Sequence, residues 1–153
     1  DPDAPTPTRR RWFGMDMLDL SAGPRLVHVV GRSPMLDMHR WGLITIGLKP
    51  GDPIKAGRDT PQGPLSWQIL VRDDGQLDCR GALPTLIQWD GRHPTDAMPE
   101  SGVVLKSLAL NGVPDRAREV LRMRHVALSS AIGPALQAVF STPHGDVTLT
   151  SST

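Results

Sequence analysis

The sequence predicts an α+β fold built from two tandem βαβββ units, and three observations carry that prediction. Apolar, β-branched runs of strand length recur along the chain, each bounded by turn residues. Two helix starts, Ser33-Pro34 and Pro114-Asp115, each follow one strand and precede three more. Fifteen glycines and fifteen prolines among 153 residues cut the chain into short elements, which favours strands and turns over long helices.

The first unit opens on Arg25-Leu26-Val27-His28-Val29-Val30, read as a buried strand. Ser33 is a good N-cap and Pro34 a good first helical residue, so a helix should run through Met35-Leu36-Asp37-Met38-His39-Arg40-Trp41 and stop near Gly42 or a little later. Strands are expected over residues 53–58, 65–71 and 85–89, with Asp73-Asp74-Gly75 turning the chain between the second and third. In the last of them, Thr85-Leu86-Ile87-Gln88-Trp89, alternation puts Leu86 and Gln88 on one face and Ile87 and Trp89 on the other. The order then recurs: a strand over 103–110, an Asn111-Gly112 turn, a helix from Pro114 through Arg122, and strands over 125–129, 135–140 and 146–150. Thr142-Pro143-His144-Gly145 is the hairpin turn between the last two. The chain divides into a proline-rich arm with an aromatic anchor (1–22), a first unit (23–100) and a second unit (101–153), the first longer because of the excursion over 72–84.

Composition narrows the classes of function. Formal net charge is +1, so no global field draws the chain to nucleic acid or an anionic membrane. No apolar run reaches the length of a membrane span and no signal-peptide pattern opens the chain. Cys79 is the single cysteine, which excludes an intrachain disulfide and a paired-cysteine zinc site and points to a reduced, cytoplasmic setting. Arg9-Arg10-Arg11 reads as part of a solvated tail, and Trp12-Phe13 as the pair that pins the arm to the body. The arginines of the second helix spread around it as a solvated face. Serine-hydrolase elbows and phosphate-cradling loops are missing from the text.

Four stretches carry a family resemblance: Arg11-Trp12-Phe13-Gly14; Ala22-Gly23-Pro24-Arg25-Leu26; Gly81-Ala82-Leu83-Pro84 through Trp89-Asp90-Gly91 with His93-Pro94; and Thr142-Pro143 to Gly145 before Val147-Thr148-Leu149. In these the chain resembles the glyoxalase-like domain family of bacterial proteins, within the vicinal-oxygen-chelate superfamily of glyoxalases, bleomycin-resistance proteins and extradiol dioxygenases. The resemblance implies that the two units curl as a mostly antiparallel sheet around a cleft, with helices on the outer face. It implies a small-molecule ligand, and either a divalent metal (Zn, Ni, Mn or Fe) serving lyase, isomerase or dioxygenase chemistry, or metal-free binding as in the superfamily's drug-sequestering members, which bind across a dimer cleft. Relatives usually carry a further βαβββ unit upstream of the proline-rich segment. With Asp1 and not Met at the start, the expectation is a fragment or a short form, and a structural half completed elsewhere is a third alternative.

The same resemblance points to His28, Gln88, Ser107 or Leu108, and Thr148 as the metal-ligand positions. Only His28 is a good ligand and Gln88 an acceptable one; a metal normally needs three or four protein donors. A lone histidine among valines is also more often a hydrogen-bonded core residue. For the ligand, the candidates are Arg58 for a carboxylate or phosphate, Trp67 and Trp89 as an indole wall, Gln88 as a polar contact, and His93 near the rim. Packing of the two tryptophans against the sheet is the competing reading. No residue is assigned a catalytic role. The expected partners are a small molecule and a second copy of the chain, with neither nucleic acid nor membrane.

Overall fold

The computed structural model describes residues 8, 10–19, 21, 23–124, 126–129 and 132–151. Most of the arm, Arg9, Ala22 and the expected strand start at His125 lie outside the described residues. The elements follow the order β1 (Val30–Arg32), α1 (Leu36–Thr45), β2 (Asp52–Arg58), β3 (Leu65–Val71), β4 (Thr85–Asp90), β5 (Val104–Asn111), α2 (Asp115–Leu121), β6 (Ala127–Ser129), β7 (Leu136–Thr142) and β8 (Gly145–Thr150). The twice-repeated strand, helix, strand, strand, strand order is therefore present.

Two four-stranded sheets result, ordered β1-β4-β3-β2 and β6-β5-β7-β8. Each contains one parallel pair, β1 with β4 and β5 with β6, and is otherwise antiparallel. The pairing inside the two units differs. In the first, the opening strand lies beside the closing strand; in the second, it lies beside the strand that follows the helix, a βαβ crossover. Element order is written in local periodicity, whereas pairing is decided by which apolar strand edges meet in space.

β3 and β4 occupy the middle of the first sheet, and their text shows why. A strand covered on both faces must be apolar almost throughout. Leu70 and Leu86 join the main core on one face, while Ile69, Val71 and Ile87 form a second cluster with Ile54, Trp67 and Trp89 on the other. The alternation predicted for 85–89 is thus observed. Trp12 and Phe13 pack onto the second cluster, and the Gly14 amide donates to the Gly75 carbonyl at 2.9 Å. β2 is an edge, which is where Pro53 can sit without breaking a ladder.

The main core is one cluster shared by both units. Leu43, Leu70, Leu110, Val113 and Leu136 have no exposed surface, and Leu36, Ala117 and Leu121 bring in both helices. Full burial of each such leucine contributes roughly 1.5–3 kcal/mol. The helices meet where Gly42 faces Val120. A Cβ on Gly42 would lie 2.8 Å from a Val120 methyl, so only glycine permits this approach.

Some boundaries differ from expectation. The strand expected over 25–30 pairs only from Val30: residues 25–29 belong to no strand and make isolated bonds, from the Leu26 amide to the Thr150 carbonyl and from the Thr85 amide to the Val29 carbonyl. α1 begins at Leu36 rather than at Pro34, and Ser33 instead accepts the Met35 amide at 3.2 Å through its hydroxyl. It passes through Gly42 and ends at Thr45, because that glycine serves the helix crossing and the left-handed turn falls at Gly47, φ 87°.

Candidate functional site

The amide of Gln88 has a definite partner. Its Oε1 accepts the backbone N–H of Leu36 at 2.9 Å, so a side chain from β4 caps the first turn of α1. Helix starts leave unpaired donors, and here a distant strand satisfies one. His28 is likewise engaged at both ring nitrogens. Nδ1 donates to the Gly81 carbonyl at 3.0 Å, which leaves Nε2 as the acceptor for the Thr85 amide at 3.3 Å and the Thr85 hydroxyl at 2.9 Å. Its ring stacks on Phe13 at 5.2 Å, and burial holds its pKa below the ordinary imidazole value, against the opposing pull of the Gly81 bond.

These placements test the implied metal centre. Thr85 shares the face of Ile87 and Trp89, so His28 and Gln88 sit on opposite sides of the first sheet. Ser107 and Thr148 lie in one row of the second sheet, each paired to Val139 between them, and Leu108 points into the core. Among the described residues no group of three or more His, Cys, Asp and Glu side chains comes within reach of one ion. Two neutral hydroxyls, a core leucine, a helix cap and a fully hydrogen-bonded histidine do not fit a divalent metal.

Three of the ligand-site candidates do come together. Trp67 and Trp89 are cross-strand partners with ring centroids 5.0 Å apart, and Trp89 meets the edge of the His93 ring at 5.4 Å. His93 then opens onto a cavity of about 240 Å³ at the end of the first sheet. Arg58, where β2 stops, lines the same cavity, with Thr60, Gln62, Leu65, Arg92 and Met98 among its other walls. The two indoles are not among the lining residues: they stand behind His93 rather than forming a wall. Gln88, committed to α1, lies away from it.

Local chemistry holds this cavity in shape. The turn between β2 and β3 is closed by reciprocal bonds between Thr60 and Gly63, at 3.2 and 2.8 Å, with the Thr60 hydroxyl also donating to the Gly63 carbonyl. Arg92 reaches that same carbonyl at 3.4 Å. After β4, Gly91 turns the chain at φ 77° and His93 caps a short 3₁₀ turn, Pro94–Ala97. His93 Nδ1 accepts the Thr95 amide at 3.2 Å, while its own amide donates to Asp96 at 2.9 Å. Arg92, Thr60, Gln62 and Met98 were not singled out from the sequence. Arg92 adjoins His93 in a stretch already marked, so a basic pair was the available signal; the turn residues carried none.

A larger hollow of about 460 Å³ lies between the helices and is lined by Met35, Met38, His39, Gly42, Glu119, Val120 and Arg122. It contains none of the predicted site residues. Convergent polar groups on an apolar floor are the better mark of a small-molecule site, and the cavity at Arg58 has them.

The described residues thus form an α+β domain with a cavity at the end of its first sheet. A family model described as glyoxalase-like domain matches residues 1–124, and the chain belongs to that family. The fourth stretch of resemblance, over 142–149, falls beyond the match. No curated protein and no solved structure matches the chain. Among the described residues no helix is long and apolar enough to cross a membrane.

Proposed function

We propose that this glyoxalase-like domain binds a small molecule in the cavity at the end of β2 and β4, without recruiting a metal. The observation that supports it is the convergence of Arg58, Arg92 and His93 around about 240 Å³ floored by Leu65 and Met98. That volume suits a small organic molecule, and the mix of apolar floor and few polar groups fits such a ligand. The superfamily's drug-sequestering mode, in which protein contacts alone hold the ligand, accords better with this arrangement than metal chelation does.

Amide NMR of the full chain against a fragment library, with and without EDTA, tests the reading. Binding should perturb the amides of residues 58–65 and 91–98 and survive the chelator. Binding abolished by EDTA and restored by Zn, Ni, Mn or Fe would overturn the metal-free part. A stoichiometric metal in freshly purified protein, lost with His28→Ala, would do the same.

A further inference from the structure

Beside Thr60 and Gln62, the cavity is lined by three groups with donors to spare, Arg58, Arg92 and His93. Arg58 makes no side-chain hydrogen bond or ion pair among the described residues. Arg92 makes one long bond, 3.4 Å, to a carbonyl. His93 uses Nδ1 to accept a backbone N–H, so in the neutral ring the proton sits on Nε2, which has no partner among the described residues. Two guanidinium groups line one hollow, and no carboxylate does. Asp96 takes the His93 amide, Asp90 accepts from the Ser66 hydroxyl at 3.3 Å, and Asp59, exposed between Arg58 and Thr60, is not among the lining residues.

Resting on the small-molecule reading above, we infer that the ligand of this cavity is an anion, a carboxylate or phosphate monoester carried on a compact apolar body. Arg58 and Arg92 supply paired donors matched to planar or tetrahedral oxyanions, and His93 Nε2 adds a third. An anion also relieves the repulsion between the two guanidinium groups. The apolar body meets Leu65, Pro94 and Met98. A cation or a neutral ligand would leave that donor set unmatched, the kind of mismatch a binding site discriminates against.

The experiment titrates the full chain with naphthalene-2-carboxylate, 2-naphthyl phosphate, naphthalene-2-carboxamide and 2-naphthylmethylammonium, followed by amide NMR. At least one anion should perturb residues 58–65 and 91–98 and bind about tenfold tighter than the carboxamide, the low end for charged hydrogen bonds because Arg58 is open to screening. The tighter of the two anions identifies the headgroup. The Arg58→Gln/Arg92→Gln variant, checked for unchanged Tm, should lose that advantage, the anion binding no tighter than the carboxamide. If the carboxamide or the ammonium binds there as tightly as the tighter anion, the anion assignment falls and the small-molecule reading stands. If the double variant keeps the anion preference, the assignment of these arginines falls. If no probe of any charge, and no library fragment, perturbs these amides, both readings fall together.

Discussion

Replacing Gln88 by Met tests whether this amide is a helix cap rather than a ligand-binding group. The substitution keeps length and apolar contact but removes Oε1, leaving the Leu36 N–H at the start of α1 without its 2.9 Å acceptor. Leu36 itself is 3% exposed, so water reaches that end of the helix poorly. Loss of an N-terminal cap costs about 1 kcal/mol, and an unsatisfied buried donor about 1–3 kcal/mol, so the expected loss is about 1–2 kcal/mol. For a chain of this size that is a fall of about 3–6 °C in Tm. Gln88→Glu keeps an acceptor and sets a negative charge at the helix start, so it should remain close to wild type at neutral pH. Urea unfolding midpoints and calorimetry read both variants. A Gln88→Met protein within about 0.3 kcal/mol of wild type, inside the scatter of ordinary surface changes, would refute the cap. So would a Gln88→Glu protein as damaged as the Met variant.

Gly42→Ala should destabilise by about 1–2 kcal/mol despite alanine's better helix propensity, because its Cβ would lie 2.8 Å from Val120; adding Val120→Ala should recover part of that loss, and simple additivity in denaturant midpoints would contradict the crossing. Leu136→Ala, at a side chain with no exposed surface, should cost about 2–5 kcal/mol by the same assay. His28 has a depressed pKa in the folded state, so the unfolded chain binds more protons below the ordinary value of about 6.5. Its contribution is full above that pH and is lost as pH falls through the folded pKa. His28→Gln should therefore flatten stability against pH between about 7 and 5. The remaining slope should come from His39, whose pKa burial also lowers, and an unchanged slope would show that His28 titrates as in the unfolded chain.

The elements were legible because their signals are local. Leu65–Val71 and Thr85–Asp90 are apolar runs closed by turn residues, and their face alternation follows from backbone geometry alone. Gln88 was recognisable as a side chain that must find a partner, but nothing nearby in sequence announces Leu36, fifty-two positions away. The capping rule led to Ser33-Pro34 for the same reason: it sees adjacent residues, whereas the observed cap comes from another strand. His28 shows the opposite balance, since its burial among valines already made a hydrogen-bonded core role the more common outcome.

The sequence by itself determined the α+β class, the twice-repeated element order and the membership in the glyoxalase-like domain family, all of which rest on patterns a few residues long. Tertiary structure alone decided the strand neighbours, the opposite placement of His28 and Gln88, and the cavity that gathers Arg58, Arg92 and His93. Arg58 and Arg92 belong to β2 and to the loop after β4, elements separated by β3 in the sheet. Their approach depends on how the β2–β3 turn folds back toward residues 91–98, a long-range outcome of packing that no local pattern encodes.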